Sequence, residues 1–173
     1  MSIDGVSGGG SLDGRGLRIG IAAARFNGEI VERLVETACH ELARLGVRPE
    51  DVVLVRVPGA FELPIAARAL LRSAEPPDAV ICLGAVIQGE TRHFDFVAGA
   101  AADGILRVGL ETGRPVIFGV LTVGTLAQAW DRADGTYRRG ADAARDAVEM
   151  ARLLAHSELA ADVPTGTAET HGI

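Results

Sequence analysis

The stretch CLGAVIQGETRHFDFV, residues 82 to 97, contains the change of pattern that decides the fold. The residues from Ala79 to Val86 form a continuous apolar run, which is typical of a short strand buried on both faces. A polar segment from Gln88 to His93 follows, and apolar residues at helical spacing resume at Phe94. Open α/β sheets place their ligand sites where a strand ends in a loop before a helix.

Three further apolar runs of strand length occur along the chain, and a helical pattern separates each from the next. The four predicted strands are LRIGIAAA (17–24), VVLVRV (52–57), AVICLGAV (79–86) and PVIFGVLT (115–122). The first helix begins after Asn27, a candidate N-cap, and Thr125 can cap a later helix through Ala133. This alternation predicts a three-layer flavodoxin-like α/β fold, with a mainly parallel four-stranded sheet flanked by helices on both faces.

The 173 residues fit one domain and are enough to bury a substantial core. Residues 1–16 are rich in Gly and Ser and predict a flexible N-terminal segment. Residues 17–157 carry the strand and helix patterns and predict a single α/β domain. The last residues, 158–173, are small, polar and interrupted by Pro, which predicts a disordered tail.

Composition excludes several classes of function. The net charge is −6 and no basic run occurs, which argues against a nucleic-acid partner. The first residues lack the apolar stretch of a secretory signal, and the longest uncharged run, 115–130, is too short to span a bilayer. Cys39 and Cys82 fall within predicted elements, so we expect buried free thiols rather than a disulfide. We therefore expect a cytoplasmic protein with no membrane partner.

Polar and aromatic residues follow the predicted strands at the point where each ends. Phe26 follows the first strand, Glu62 the second, His93 the third, and Thr122 ends the fourth. The carboxyl ends of parallel strands share one edge of a sheet, so we expect a small-molecule site there. Each residue also has a structural interpretation: Phe26 as a core anchor, Glu62 as a first-turn acid and His93 as a satisfied side chain.

Two further patterns stay open at this stage. Gly89-Glu90-Thr91 before a helix offers backbone N–H groups to an anion, although no P-loop or GxGxxG motif is present. Arg132, Arg138 and Arg139 cluster near the chain end, where solvated helix-end arginines are the simplest interpretation. No Cys, His and Asp set has the spacing of a metal site, and we expect none.

Four motifs together resemble the lumazine synthase family of riboflavin biosynthesis. They are RFN (25–27), VPGAFELP (57–64), LGAVIQGETRHFDFV (83–97) and PVIFGVLTVGTLAQAWDRA (115–133), and the resemblance covers about residues 17–155. The resemblance implies condensation of 5-amino-6-(D-ribitylamino)uracil with 3,4-dihydroxy-2-butanone 4-phosphate. The products would be 6,7-dimethyl-8-ribityllumazine, phosphate and water, formed without a cofactor or metal.

The resemblance also implies roles for individual residues. His93 would transfer protons and Arg132 would bind the phosphate group. Phe26 would stack on the pyrimidine, and Phe118 would contact substrate across a subunit boundary. The remaining substrate-binding positions implied by the resemblance are Ala60, Phe61, Glu62, Ala85, Val86, Ile87, Glu90, Thr91 and Arg139.

Three departures from the family pattern stand out. Gln88 replaces the Arg of the usual VIRG, and Val123 replaces the second Thr of the usual LTT. The segment DGTYRRG (134–140) is one residue shorter than the usual GTKAGNKG, and Arg139 stands where Lys is normal. Two alternatives to the enzyme remain: a paralogue that binds lumazine or flavin with little turnover, and a cage-forming scaffold.

A homo-oligomer is expected on two grounds. The predicted apolar helix faces exceed the sheet area that is available to cover them, which favours packing between subunits. The resemblance independently implies a homopentamer that can assemble further into a sixty-subunit icosahedral shell. By the same resemblance, a neighbouring chain completes the site.

Overall fold

The computed structural model describes residues 11–155, which contain four strands and five α-helices. In chain order these are β1 (Ile19–Ala24), α1 (Gly28–Arg44), β2 (Val52–Val57), α2 (Leu63–Leu71), β3 (Ala79–Ile87), α3 (His93–Thr112), β4 (Val116–Val123), α4 (Leu126–Ala133) and α5 (Arg139–Ala155). All neighbouring strands pair in parallel, in the order β2-β1-β3-β4. This is the flavodoxin-like order, so the predicted fold is confirmed.

The helices cover both faces of the sheet. On one face α1, α4 and α5 bury a cluster that includes Leu34, Leu42 and Val148 against β1 and β3. On the other face α2 and α3 bury Leu63 and Ile105 against the opposite side of the same strands. The two central strands are therefore enclosed, as their continuous apolar sequences predicted.

The first residues of α1, α2 and α4 show what begins each helix. Pro64 lies in the first turn of α2, where its missing N–H costs nothing. Thr125 caps α4, because its side chain accepts a hydrogen bond from the Gln128 N–H. Asn27 occupies the N-cap position of α1 but is left-handed, with φ of 55°, and its side chain makes no cap hydrogen bond. Its amide instead donates to the carbonyl oxygen of Ala85 over 2.8 Å, which ties the β1–α1 turn to the end of β3.

Helices α1 and α5 pack closely against each other through both apolar and charged residues. Gly140 lies so close to the backbone of Leu34 that a Cβ at this position would collide with it. The buried carboxylate of Glu41 accepts hydrogen bonds from Arg44 and Arg145, two of them at 2.7 Å. The Arg44 hydrogen bonds, assisted by Arg145, lower the pKa of Glu41 to about 2 against the opposing effect of burial. These contacts with α1 fix the position at which α5 begins.

Both cysteines in the described residues are free thiols, as predicted. Cys82 is buried within β3, and burial raises the pKa of its thiol to about 12. Cys39 is only half-buried, so the expectation that it is buried was wrong. It lies on α1 beside β2, the edge strand, which does not fully cover it.

Several predictions concern the chain ends. Residues 1–10 and 156–173 lie outside the described residues, so the predictions for most of the N-terminal segment and for the tail stay predictions. Within the described part, Gly14 donates to the carbonyl of Leu45, and Arg152 donates to the carbonyl of Asp13. Among residues 11–155, no helix has the length and apolar character needed to cross a membrane.

Candidate active site

A cleft of about 680 Å³ opens at the carboxyl ends of the central strands. From β1 the chain continues to β2 on one side of it, whereas β3 pairs with β1 on the other side. The cleft lies at this switch point of the fold. Its walls come from the loops after β1 and β2, the end of β3 and the first turns of α3. We call it the aromatic cleft, because Phe26, Phe61, Phe94 and Phe96 line it.

Three of these rings are exposed to an unusual degree. Phe26 is 71% exposed, Phe96 is 70% exposed and Phe61 is 56% exposed. Large aromatic side chains that face solvent around one cleft are costly unless another molecule covers them. The arrangement therefore suits a flat, partly apolar ligand, and it rules out the alternative that Phe26 is a core anchor.

The polar groups of the aromatic cleft have defined local roles. The Glu62 carboxylate accepts a hydrogen bond of 2.9 Å from the backbone N–H of Gly59, so this side chain also stabilises the loop after β2. The structural interpretation of Glu62 as a first-turn acid is therefore correct, although Glu62 also lines the cleft. The Thr91 hydroxyl oxygen accepts a hydrogen bond of 3.4 Å from the backbone N–H of His93.

His93 is exposed and lines the aromatic cleft. The sequence placed it in the loop before a helix, but it is the first residue of α3. The helix starts one residue earlier than predicted, and the side chain of its N-cap residue, Arg92, makes no cap hydrogen bond. Asp95 lies in the same first turn, with Arg92 at an ion-pair distance of 3.7 Å. The imidazole is free to meet a ligand in the cleft.

A second cleft, of about 250 Å³, lies beside the edge strand β4. We call it the arginine cleft, since the side chains of Arg132 and Arg139 line it together with Phe118. Asp142 and Asp146 line it from α5. The pKa of Asp146 is raised, first by burial and then by the nearby carboxylates of Asp142 and Glu149. No residue lines both clefts.

The structure thus divides the predicted site residues into two groups. Those in the aromatic cleft are Phe26, Ala60, Phe61, Glu62, Ala85, Val86, Ile87, Thr91 and His93, and those in the arginine cleft are Phe118, Arg132 and Arg139. Glu90 is exposed and lines neither cleft, although its neighbours Gly89 and Thr91 line the first. Thr122 lies in the arginine cleft and not beside the other strand ends.

Sequence reasoning missed the aromatic side of α3 and the acidic side of α5. Phe94, Phe96 and Val97 were assigned only to the apolar helical pattern that resumes at Phe94, yet they line the aromatic cleft. The signal was present, because phenylalanines two residues apart lie on different faces of a helix and cannot both face the core. Asp142 and Asp146 carry no such signal. Within residues 11–155, no set of three or more His, Cys, Asp or Glu side chains could hold a metal ion.

Comparison with known proteins identifies the family to which this geometry belongs. The sequence model described as 6,7-dimethyl-8-ribityllumazine synthase matches residues 16–155. The chain belongs to the lumazine synthase family. Proteins named 6,7-dimethyl-8-ribityllumazine synthase include one from Aquifex aeolicus, 48% identical over 146 residues, which are 84% of this chain and 94% of that one. One from Thermus thermophilus is 46% identical over 144 residues, which are 83% of this chain and 91% of that one. One from Cupriavidus metallidurans is 49% identical over 144 residues, which are 83% of each chain.

For a member of the lumazine synthase family, the departures can now be placed. Gln88 follows β3, and its backbone N–H donates to the carbonyl of Val123 over 2.9 Å, so the two departing positions are neighbours at the end of the β3–β4 pair. The exposed side chain of Gln88 lies outside both clefts. The shortened segment 134–140 connects α4 to α5 and carries Arg139 into the arginine cleft. No residue of the aromatic cleft is among the departures, and the family match does not favour the non-catalytic alternatives.

Proposed function

We propose that the protein condenses 5-amino-6-(D-ribitylamino)uracil with 3,4-dihydroxy-2-butanone 4-phosphate to give 6,7-dimethyl-8-ribityllumazine, phosphate and water. One observation carries the proposal. In a chain of this family, the cleft at the switch point combines exposed aromatic faces with a free imidazole, while two guanidiniums line a second cleft. Aromatic faces suit a pyrimidine, an imidazole suits proton transfer, and guanidiniums suit phosphate.

The aromatic cleft would bind the pyrimidine and its ribityl chain. Phe26 would stack on the ring, and the loop of Ala60, Phe61 and Glu62 would border the bound molecule. The last residues of β3 from Ala85 to Ile87 would offer backbone groups along the other side. The Asn27 amide already bonds to the Ala85 carbonyl, so this wall is held before any ligand arrives. A site that is organised in advance loses little entropy on binding.

His93 would move the protons that the condensation requires. The amine adds to the ketone and the adduct loses water to give an imine, so a proton must leave nitrogen and reach the departing oxygen. Removal of a proton from the carbon beside the imine then expels phosphate, and the resulting enol becomes a ketone. The ring closes when the ribitylamino nitrogen adds to this ketone, loses its proton and a second water leaves. An imidazole can accept and donate protons in the neutral range, and such catalysis typically contributes about 10²–10⁴-fold.

The arginine cleft would bind the phosphate group of the second substrate. Arg132 and Arg139 present forked guanidiniums that match phosphate oxygens, and this contact favours the departure of phosphate. Holding both substrates in place can contribute as much as proton transfer, up to about 7–11 kcal/mol. The phosphate contact therefore serves both orientation and leaving-group departure.

The two clefts would form one site between neighbouring copies of the chain. Each copy would supply its aromatic cleft to one site and its arginine cleft to the next, which generates a closed ring. Exposed apolar side chains support such packing, among them Phe118 in the arginine cleft and Leu126 and Trp130 on α4. We infer a homopentamer in the cytoplasm, and further assembly into a shell is a separate prediction.

The assay that tests the function follows phosphate release and lumazine fluorescence together, with both substrates present. We expect both products to form well above the spontaneous rate, in equal amounts. Product formation no faster than the uncatalysed mixture would contradict the proposal. Binding of a ribityl compound without turnover would then indicate the ligand-binding paralogue, and no binding would indicate a scaffold.

A further inference from the structure

The ring of Tyr137 contacts both guanidiniums of the arginine cleft. The Cζ atoms of Arg132 and Arg139 lie over this ring, 5.4 Å and 5.5 Å from its centroid. Both distances are within the range of a cation–π interaction. The resemblance to the family assigned roles to the two arginines and none to the tyrosine, which lies in the segment that departs from the family pattern.

The backbone on both sides of Tyr137 is held in place. The carbonyl of Asp131 at the end of α4 accepts hydrogen bonds from Gly135 at 3.0 Å and from Tyr137 at 3.5 Å. Arg138, the next residue, is left-handed with φ of 40°, which reverses the chain into α5. Gly140 then packs on the backbone of α1. The ring therefore lies on a short connection with both ends fixed.

The ring has an electrostatic effect on the pair of arginines. Two guanidiniums repel each other, and a ring that contacts both reduces that repulsion because it carries negative charge above and below its plane. Arg139 has a carboxylate partner as well, Asp142 at 3.6 Å. Arg132 donates to the Gln128 carbonyl over 3.2 Å, and no ion pair joins it to an acidic side chain within residues 11–155. The tyrosine is therefore the contact that the two arginines share.

We propose that Tyr137 is a positioning residue for the phosphate-bearing substrate, holding Arg132 and Arg139 as a preformed pair. The inference rests on the proposed function, because the pair is assigned to the phosphate group of that substrate. A preformed pair binds a dianion without first bringing two like charges together. Tyr137 acts through the arginines, so its removal weakens phosphate recognition and leaves the aromatic cleft unchanged.

The test compares Tyr137→Leu with Tyr137→Phe in the full chain. For Tyr137→Leu we expect the KM for 3,4-dihydroxy-2-butanone 4-phosphate to rise about fivefold. The inhibition constant for inorganic phosphate should rise by a similar factor. The KM for the pyrimidine should stay within about twofold, because stacking on Phe26 does not involve this loop. Tyr137→Phe retains the ring face and should match the wild type.

Three results bear on the inference. An unchanged KM for the phosphorylated substrate in Tyr137→Leu would overturn it, as would a Tyr137→Phe variant that is equally impaired. Tyr137→Met is a second variant without a ring, for use if the branched leucine disturbs folding. If the wild type shows no turnover, the proposed function fails. Calorimetric titration of the wild type and Tyr137→Leu with inorganic phosphate then still decides whether the ring supports the arginine pair.

Discussion

The two clefts of this chain differ in size, chemistry and origin. The aromatic cleft, about 680 Å³, lies at the centre of the sheet and is lined mostly by apolar and aromatic side chains. The arginine cleft, about 250 Å³, lies at the edge strand β4 and is lined by two arginines and two carboxylates. The first has the apolar surface that a flat molecule needs, and the second has charge but little apolar surface.

Under the proposed function, the difference means that neither cleft of one copy of the chain has all the groups that the reaction needs. The aromatic cleft has an imidazole, to which we assign proton transfer, but no Arg or Lys side chain for phosphate lines it. The arginine cleft has the cations but no histidine and a single aromatic ring, Phe118. Chemistry that needs a stacked pyrimidine and a departing phosphate at one place would require both. The predictions below test this division, beginning with the largest expected effect.

Replacing His93 by Ala should slow turnover most, by about 10²–10⁴-fold, since it removes the proton-transfer group of the aromatic cleft. The KM values for both substrates should change much less, and the circular dichroism spectrum should not change, because the side chain is exposed. His40→Ala is a matched control, as His40 is an exposed histidine on α1 outside both clefts. Wild-type rates in His93→Ala would remove this residue from the mechanism.

Replacing Arg132 by Ala should lower kcat/KM by about 10–100-fold through loss of charge-assisted hydrogen bonds to phosphate. The loss should appear in the KM for the phosphorylated substrate and in inhibition by inorganic phosphate. Arg107→Ala is the control, because Arg107 is exposed on α3 and pairs only with Asp103 at 2.8 Å within the described residues. Equal effects from the two variants would mean that Arg132 acts only through general charge.

Replacing Phe26 by Ala should raise the KM for the pyrimidine about tenfold, the magnitude expected when a stacked base loses its aromatic partner. Phe26→Tyr keeps the ring and should restore binding. The affinity for inorganic phosphate should be the same in both variants, since Phe26 belongs to the other cleft. A matching loss of phosphate affinity in Phe26→Ala would contradict the assignment of the pyrimidine and the phosphate to separate clefts.

Replacing Glu41 by Gln should leave both clefts active and change stability alone, by about 1–3 kcal/mol at neutral pH. The pKa of Glu41 is lowered to about 2 from an ordinary value of 4.5. The ionised Glu41 therefore stabilises the folded state fully above pH 4.5, and this stabilisation is lost as the pH falls from 4.5 towards 2. Denaturant unfolding should therefore show a gap between wild type and variant that narrows by about pH 3. A gap independent of pH would contradict the role of the ion pairs.

The fold and the aromatic cleft could be predicted because local patterns determine them. The four strands lie within two residues of their predicted bounds, since each is a mainly apolar run between turn residues. The strand ends of a parallel sheet meet at one edge, which placed Phe26 and His93 together. The side-chain bond from Asn27 to Ala85 was beyond prediction, because it joins residues that are distant in sequence.

The arginine cleft was harder to predict for a physical reason. Arg132 and Arg139 at helix ends have the same sequence pattern as solvated arginines. Their meeting depends on the φ of Arg138, on the ring of Tyr137 and on the close packing of Gly140 against α1. These are tertiary contacts of a short connection, and the spacing of apolar residues in the sequence does not predict them. Only the resemblance to a family pointed to these residues as a site.

The measurement that tests the division of the site most directly is a mixing experiment. His93→Ala and Arg132→Ala chains, each strongly impaired alone at a limiting concentration of the phosphorylated substrate, are unfolded together, refolded at equal ratio and assayed for lumazine formation under that condition. If each site joins the aromatic cleft of one copy to the arginine cleft of its neighbour, random mixing gives about one site in four with both groups intact. We expect activity near a quarter of the wild type. Activity of the co-assembled chains no higher than the mean of the two variants alone, with oligomer mass confirmed, would place both residues in one chain's own site and contradict the account.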